Sequence, residues 1–265
     1  IAICNRKIWY LIMNDSKLID GKKISSQIRL EIKRLGEKFT ESTGITPGLA
    51  VVLIGDNPAS NVYVSNKIKQ TKEVGFKSIE HRLPKETSEV ELLRLIDSLN
   101  NDDDINGILV QLPLPDHIDS DKVLDKIFSS KDVDGFHAEN VGKLWSGLNT
   151  LVPCTPLGCS LIIKHIFEDL SGKNAVIIGR SNIVGKPMAA LLIQLNATVT
   201  IVHSRTKNIE KICKDADILV AAVGVPKMVK STWVKKGSVV IDVGINRIEE
   251  DGKKKLVGDV DFDEV

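Results

Sequence analysis

The sequence predicts an α/β fold made of two α/β domains flanking a cleft. Three observations carry this. Segments with apolar residues at helical spacing alternate with short continuous apolar runs, the pattern of parallel strands covered by helices. The alternation restarts beyond Pro153–Pro156, where prolines bracket a new helix. The length of 265 residues exceeds the roughly 150 expected of one domain.

The elements follow in order. Ile24, Ile28, Ile32 and Leu35 recur at helical spacing between Asp20 and Gly44. Leu49–Ile54 is a continuous apolar run ended by Gly55, as in a strand buried on both faces. Asp56-Asn57-Pro58 reads as a turn, and Ser60 as the cap of a helix running to Gly75. Lys77–Leu83 is a second strand. Ser88 and Glu91 have the spacing of a capping box, opening a helix with Leu92, Leu95, Ile96 and Leu99 inward. Asn101–Asp104 is a charged loop. Gly107–Val110 is a third strand, stopped by the prolines of Gln111-Leu112-Pro113-Leu114-Pro115. A short helix, Ser120–Phe128, precedes the turn-like Asp132-Val133-Asp134-Gly135-Phe136, and a loop-rich stretch then reaches Pro156. In the second half Ala175–Ile178, Thr198–Val202, Ile218–Ala222 and Val239–Val243 read as strands. Gly185–Leu195 and Ile209–Cys213 read as helices.

Composition narrows the function classes. Apolar residues make up 42% and charged residues 27%, ordinary for a soluble globular protein. A formal net charge of +1 offers no electrostatic footprint for nucleic acid or a membrane surface, so small-molecule partners are expected. No run approaches the ~18 apolar residues of a membrane span. Cys4, Cys154, Cys159 and Cys213 fit neither a metal-site spacing nor a disulfide framework. They read as reduced thiols of a cytoplasmic protein. No metal-ligand cluster stands out, so no metal is expected. Ile1–Ile12 lacks the long apolar region and small-residue cleavage site of a signal peptide, and reads as an extension upstream of a start at Met13. His81, His117, His137, His165 and His203 are scattered, and only His203 falls near a candidate site.

That site begins where the strand Ala175–Ile178 runs into Gly179-Arg180-Ser181-Asn182-Ile183-Val184-Gly185. A glycine turn between strand and helix lets the backbone approach a phosphate, and the start of the helix offers N–H groups to it. The motif is not G-x-G-x-x-G, and such turns also serve topology alone. The next strand adds chemistry. An NAD site usually ends that strand with a carboxylate on the ribose hydroxyls. Here Val202 is followed by His203-Ser204-Arg205-Thr206. Hydroxyl and guanidinium donors, with Arg180 in the first turn, suit a 2′-phosphate and favour NADP over NAD.

A second constellation lies in the first half. Tyr63 and Lys67 are four residues apart and share a helix face. Gln111 follows a strand end, and Asp134 follows the next helix. Open α/β sheets place ligands at the carboxyl ends of strands, so the four side chains converge on one crevice.

Several motifs occur in a fixed order. They are Tyr-x-x-x-Lys at 63–67, Val-Gln-Leu-Pro-Leu-Pro at 110–115, Asp-Val-Asp-Gly-Phe at 132–136, Pro-Cys-Thr-Pro-Leu-Gly at 153–158 and Gly-Arg-Ser-x-Ile-Val-Gly at 179–185. Asp-Val-Gly-Ile-Asn at 242–246 and Gly-Asp-Val at 258–260 extend them. Together they resemble the bifunctional methylenetetrahydrofolate dehydrogenase/methenyltetrahydrofolate cyclohydrolase family, from about Lys17 to Val260.

The resemblance implies a three-layer α/β folate-binding catalytic domain over 13–153 and a Rossmann-like NADP domain over 154–265. It implies NADP-dependent oxidation of 5,10-methylenetetrahydrofolate, then hydrolysis of the methenyl product to 10-formyltetrahydrofolate. Lys67 is then the catalytic lysine beside the one-carbon unit. Tyr63 stacks on the folate, Gln111 hydrogen-bonds Lys67 and Asp134 holds the pterin ring. Val110 and Leu112 line the folate pocket. Gly179, Arg180, Ser181, Ser204 and Ile245 touch NADP, with Ile183, Gly185 and Arg205 in the same site. A homodimer formed through the cofactor domain is implied too. So is a Pro-Gly-Gly-rich loop and a last helix after Gly258-Asp259-Val260, which a sequence stopping at Val265 does not reach. Two other readings stay open: an NADP dehydrogenase of shikimate type, and an NADP-binding protein without activity.

Overall fold

The structure is a computed structural model that describes residues 18–250 and 252–265. The extension read at Ile1–Ile12, with Cys4 and the start at Met13, lies outside the described residues.

The first half is a three-stranded parallel sheet in the order β2-β1-β3, with β1 at Gly48–Ile54, β2 at Lys77–Leu83 and β3 at Gly107–Val110. Side chains alternate between the faces of a strand, so every β1 residue needs cover on one side or the other. Ala50, Val52 and Ile54 of β1, with Ile108 and Val110 of β3, pack against Leu92, Ile96 and Leu99 of α3 (Glu89–Asn100) and Val123 of α4 (Ser120–Lys126). Val51, Leu53 and Leu109 face the other way, onto Val64 of α2 (Pro58–Glu73). This is the expected three-layer arrangement. The helix α1 (Gly21–Thr43) opens the described chain, capped by Asp20 and ended by Gly44 at φ 74°.

The second half is a four-stranded parallel sheet, β5-β4-β6-β7, formed by β4 (Asn174–Ile178), β5 (Thr198–Val202), β6 (Ile218–Ala221) and β7 (Val239–Asp242). Ala175, Ile177, Ile218 and Val220 are covered by Cys159 and Ile163 of α6 (Cys154–Ile166) and by Met188 and Leu192 of α7 (Gly185–Gln194). Val176, Ile178, Leu219 and Ala221 pack on the opposite face with Cys213 of α8 (Ile209–Cys213). The chain leaves β4 for β5 on one side and returns to β6 on the other. The carboxyl end of β4 is therefore the switch point where such sheets bind ligands.

Several expectations are corrected. Asn57, not Ser60, caps α2: its Oδ1 accepts from the N–H groups of Ala59 at 2.9 Å and Ser60 at 3.2 Å. Pro58 then takes the first helical position, where its missing N–H costs nothing, and the helix stops at Glu73 rather than Gly75. The short helix α4 ends at Lys126, because Ile127 is extended. The stretch expected as loop up to Pro156 contains α5, Ala138–Trp145. Eight residues are too few for a clear apolar period, and its cap is unusual: His137 Nδ1 accepts from Glu139 N at 3.1 Å. Finally, β8 (Asn246–Glu250) and β9 (Lys253–Val257) form an antiparallel hairpin that the apolar pattern did not reveal. Its strands are rich in Glu and Lys, residues depleted in sheets. Opposite charges instead face each other across it, as Glu249 pairs with Lys254, and Lys255 Nζ donates to Glu250 at 2.6 Å.

Candidate active site

The first cluster follows from strand parity. Leu109 faces α2 and Val110 faces α3, so Gln111, one residue on, returns to the α2 side. There Lys67, on α2, donates from Nζ to Gln111 Oε1 at 3.2 Å. The orientation of the amide is fixed from its other end, since Gln111 Nε2 donates to the carbonyl of Leu112 at 2.7 Å. Gln111 N is held by the carbonyl of Val52 at 2.9 Å. The side-chain carbonyl of Gln111 is thereby aimed at the lysine. The peptide Leu112-Pro113 is cis.

Asp134 arrives from the segment after α4. Its neighbour Asp132 is the structural carboxylate of the pair. Asp132 is 1% exposed, bridges to Ile108, and accepts from His137 N at 2.8 Å and Asn140 Nδ2 at 2.9 Å. This fixes the turn, and Asp134, two residues on, stays half-buried without taking part in those bonds. Burial holds the Asp134 carboxyl above the ordinary carboxylate range; the charge of Lys67 offsets part of that, and Asp132 adds to it. Lys67 and Asp134 thus feel each other electrically.

Gly135 joins this turn to the second half. Its φ is +67°, and a Cβ there would lie 2.8 Å from Pro153 N. The close approach brings Cys154 in, with Sγ 3.6 Å from the Val133 carbonyl. The Cys154 thiol is pushed up by burial and then by the Asp134 carboxylate, which favours the protonated form. Sequence reasoning treated Cys154 as an ordinary thiol and missed its place beside Lys67 and Asp134. The available signal was its position within Pro-Cys-Thr-Pro.

Tyr63 lies one turn before Lys67 and is 42% exposed, a ring at the rim. Leu112 is half-buried beyond the end of β3. Val110 does not join the cluster: at 2% exposed, its side chain points into the core beneath α3, away from Lys67.

The second cluster surrounds the end of β4. Gly179 has φ +120°, and a Cβ there would collide with the Ala222 carbonyl, so only glycine permits this approach. Gly185 is buried at the first position of α7. The N–H groups there are less open than expected. Ser181 Oγ accepts from Val184 N at 3.1 Å and Gly185 N at 3.3 Å, and the Ser181 carbonyl accepts from Lys186 N at 3.0 Å. Ser181 therefore shapes the turn. The exposed donors are side chains: Arg180, two residues beyond Ile178, and Ser204 and Arg205, just past Val202. Ile178 and Val202 are register partners, so these donors share one edge of the sheet. His203 and Thr206 tie that loop, through His203 N to Thr206 Oγ1 at 3.0 Å and Arg205 N to His203 Nδ1 at 3.2 Å. Ile183 is 43% exposed and Ile245, beyond β7, is 63% exposed.

A parallel sheet with a glycine turn at its switch point, beside a second α/β unit carrying a lysine–amide pair, defines a two-part α/β protein of the dinucleotide-linked enzyme class. Comparison narrows the class. Residues 19–134 match the tetrahydrofolate dehydrogenase/cyclohydrolase catalytic domain, and residues 153–265 match the NAD(P)-binding domain of the same family. The chain belongs to the tetrahydrofolate dehydrogenase/cyclohydrolase family. It is 58% identical to the bifunctional protein FolD of Dichelobacter nodosus over 249 residues, covering 94% of this chain and 86% of that one. A crystal structure of the bifunctional FolD enzyme, methylenetetrahydrofolate dehydrogenase/cyclohydrolase, from Campylobacter jejuni superposes with a TM-score of 0.88 at 51% identity, covering 93% of this chain and 86% of that one. The FolD of Trypanosoma brucei, solved in complex with NADP cofactor and an inhibitor, superposes with a TM-score of 0.89 at 36% identity, covering 95% and 87%.

Proposed function

We propose that this chain oxidises 5,10-methylenetetrahydrofolate with NADP and then hydrolyses the 5,10-methenyl product to 10-formyltetrahydrofolate. The carrying observation is the Lys67–Gln111 hydrogen bond within electrostatic reach of the half-buried Asp134. Family membership and the FolD relatives support the two activities together.

The residues present fit NADP. Gly179 makes the tight strand-to-helix turn, at φ +120° and against the Ala222 carbonyl, that a side chain would forbid, and the exposed Arg180, Ser204 and Arg205 supply donors at the sheet edge where an NAD site would place a carboxylate. Bound there, NADP would supply the acceptor for the hydride that leaves the methylene carbon of the folate. The chain's part in that step is orientation. Arg180, Ser204 and Arg205 would hold the 2′-phosphate, and Gly179, Ser181, Ile183, Gly185 and Ile245 would frame the rest.

The cyclohydrolase step needs proton transfer. Water adds to the methenyl carbon, the bond from that carbon to N5 breaks, N5 takes a proton, and one proton is released overall. Lys67 Nζ is the group placed to take the proton of the attacking water and return one to N5. Gln111 holds that amine in position. Asp134 accepts from the paired N–H donors of the pterin edge, which selects a pterin over rings lacking them. Tyr63 covers the ring from the rim, with Leu112 beside it. Residues 13–153 form the folate-binding unit and 154–265 the NADP-binding unit in this reading. The protein works in the cytoplasm as a homodimer joined through the NADP unit. Among the described residues no helix is long and apolar enough to cross a membrane.

The test supplies methylenetetrahydrofolate and NADP and follows NADPH together with methenyl absorbance. The parent should make NADPH with only transient methenyl. Lys67→Met should hydrolyse methenyl at least about 100-fold more slowly, the scale of a lost general acid–base, while NADP binding stays intact. Hydrolysis at the parental rate in Lys67→Met would remove Lys67 from the mechanism. No NADPH from the parent would favour the reading as an NADP-binding protein without activity.

A further inference from the structure

Apart from Ile245, the residues of two sequence motifs remain without a role: Asp-Val-Gly-Ile-Asn at 242–246 and Gly-Asp-Val at 258–260. In the fold they meet. Asp259 is fully buried, at 0% exposed. Its Oδ2 accepts from Val223 N at 2.7 Å and Gly224 N at 3.0 Å, and its Oδ1 accepts from Asn246 Nδ2 at 2.9 Å. All three partners are neutral N–H donors. Asp242, at the end of β7, supports this arrangement from below. Its Oδ1 accepts from Gly244 N at 3.0 Å and Asp259 N at 2.9 Å, and its Oδ2 from Val260 N at 3.0 Å. Glycines make room for both carboxylates: a Cβ on Gly244 would collide with Asp259 Oδ1, and one on Gly258 with Asp242 Oδ2.

This pair of carboxylates holds the loops that follow β6 and β7, at the carboxyl end of the sheet that carries the Gly179 turn. Val223 and Gly224 continue β6 beyond Ala222, whose carbonyl is the atom that Gly179 approaches. Ala222 itself is tied to β4 by its N–H to the Ile178 carbonyl at 2.9 Å. Gly244 and Asn246 flank Ile245, and each is fixed by one of the two carboxylates. The exposed Ile245 is thus carried on a segment pinned at both ends. A buried carboxylate needs strong reason to be there, because burying an unpaired charge is costly. Three converging donors from two loops supply it.

We propose that Asp259, seated on Asp242, is a positioning residue for NADP: it locks the loops 222–224 and 244–246 so that they face the Gly179 turn at the right separation. The proposal rests on the NADP reading above. It makes Asp259 matter for dinucleotide binding and hydride transfer, and not for the lysine chemistry of the other half.

The geometry predicts a swap. Asn246→Asp alone sets two carboxylates against each other. Asn246→Asp combined with Asp259→Asn restores the bond in reverse: the new amide at position 259 donates through its Nδ2 to the new carboxylate at 246, and its Oδ1 still accepts from Val223 and Gly224. NADP affinity is measured by calorimetry, and hydrolysis of methenyltetrahydrofolate is assayed without dinucleotide. Asp259→Ala should weaken NADP at least about tenfold, the effect of leaving buried donors unpaired, while unassisted hydrolysis stays within about twofold. Asn246→Asp should weaken NADP similarly, and the double variant should recover to within about threefold of the parent. An unchanged NADP affinity in Asp259→Ala, or a parallel loss of both activities, overturns the proposal. Should Asp259→Ala not fold, a double variant no better than Asn246→Asp overturns it instead. If the parent itself fails to bind NADP, the proposed function falls, and that result is distinct from any of these.

Discussion

Asp134 keeps a carboxylate where burial opposes its charge. A carboxyl whose pKa is raised by the fold stabilises the protein only while it is protonated. That contribution is complete below the ordinary value of 3.8 and is lost as pH rises through the higher folded-state value. At neutral pH the charge is a burden on stability, which the proposed role in holding the pterin would account for. Asp134→Asn should therefore melt at a higher temperature than the parent at pH 7, and the gap should close as pH falls toward ~4. The same variant should bind folate about tenfold or more weakly, since an amide presents an N–H where an acceptor is needed. Equal melting curves at both pH values would show that Asp134 carries no such burden. Lys67 makes a related point. Its spacing from Tyr63 was visible in the sequence, but the bond to Gln111 spans 44 positions, and only the packing of α2 on the sheet face reached by Gln111 creates it.

At the scale of elements, the turn from Gly179 to Gly185 illustrates what spacing can and cannot say. The glycines were legible, because a strand entering a helix needs a tight reversal. The use of the N–H groups was not. Ser181 turns its hydroxyl back onto Val184 and Gly185, which leaves the exposed side chains as the open donors for the proposed phosphate contact. Arg180→Ala should accordingly raise the Michaelis constant for NADP about tenfold, as expected for a lost charge-assisted hydrogen bond, and change that for NAD little. Initial-rate kinetics with both dinucleotides decide this, and equal effects would sink the 2′-phosphate assignment. Caps show the same divide. Ser88 and Glu91 formed the capping box that their spacing announced, with Ser88 N donating to Glu91 at 2.9 Å. At α2, Asn57 displaced Ser60 because a cap must precede the first turn, and Pro58 fits that turn. The helix α5 and the charged hairpin β8–β9 were hidden: one is short, and the other is an antiparallel ladder of largely charged residues with no apolar run to announce it.

Across the molecule, Gly135 connects the two sheets through the approach of its turn to Pro153. Helix packing adds a second link, since Gln194 Nε2 on α7 donates to the Leu144 carbonyl of α5 at 2.5 Å. Gly135→Ala combines a left-handed backbone with a steric conflict, and should destabilise the protein by at least about 2 kcal/mol. Chemical denaturation measures this. It should also depress both catalytic steps, because Asp134 and Cys154 would no longer keep their places beside Lys67. A variant as stable and active as the parent would show that the approach is dispensable.

The alternation of strands and helices, the parallel character of both sheets, the lysine and the glycine turn could all be read along the chain. These follow from local rules: side-chain periodicity, capping chemistry and the backbone freedom of glycine act over a few residues. Which way each strand-end side chain faces, and what meets it there, is settled only in the folded chain. Gln111 reaches Lys67 while Val110 is turned into the core, Asp132 becomes structural while Asp134 comes within electrostatic reach of Lys67, and Asp259 finds the loops after β6 and β7. Each outcome depends on contacts between residues far apart in the chain, and on a one-residue change of parity that no composition or spacing reveals.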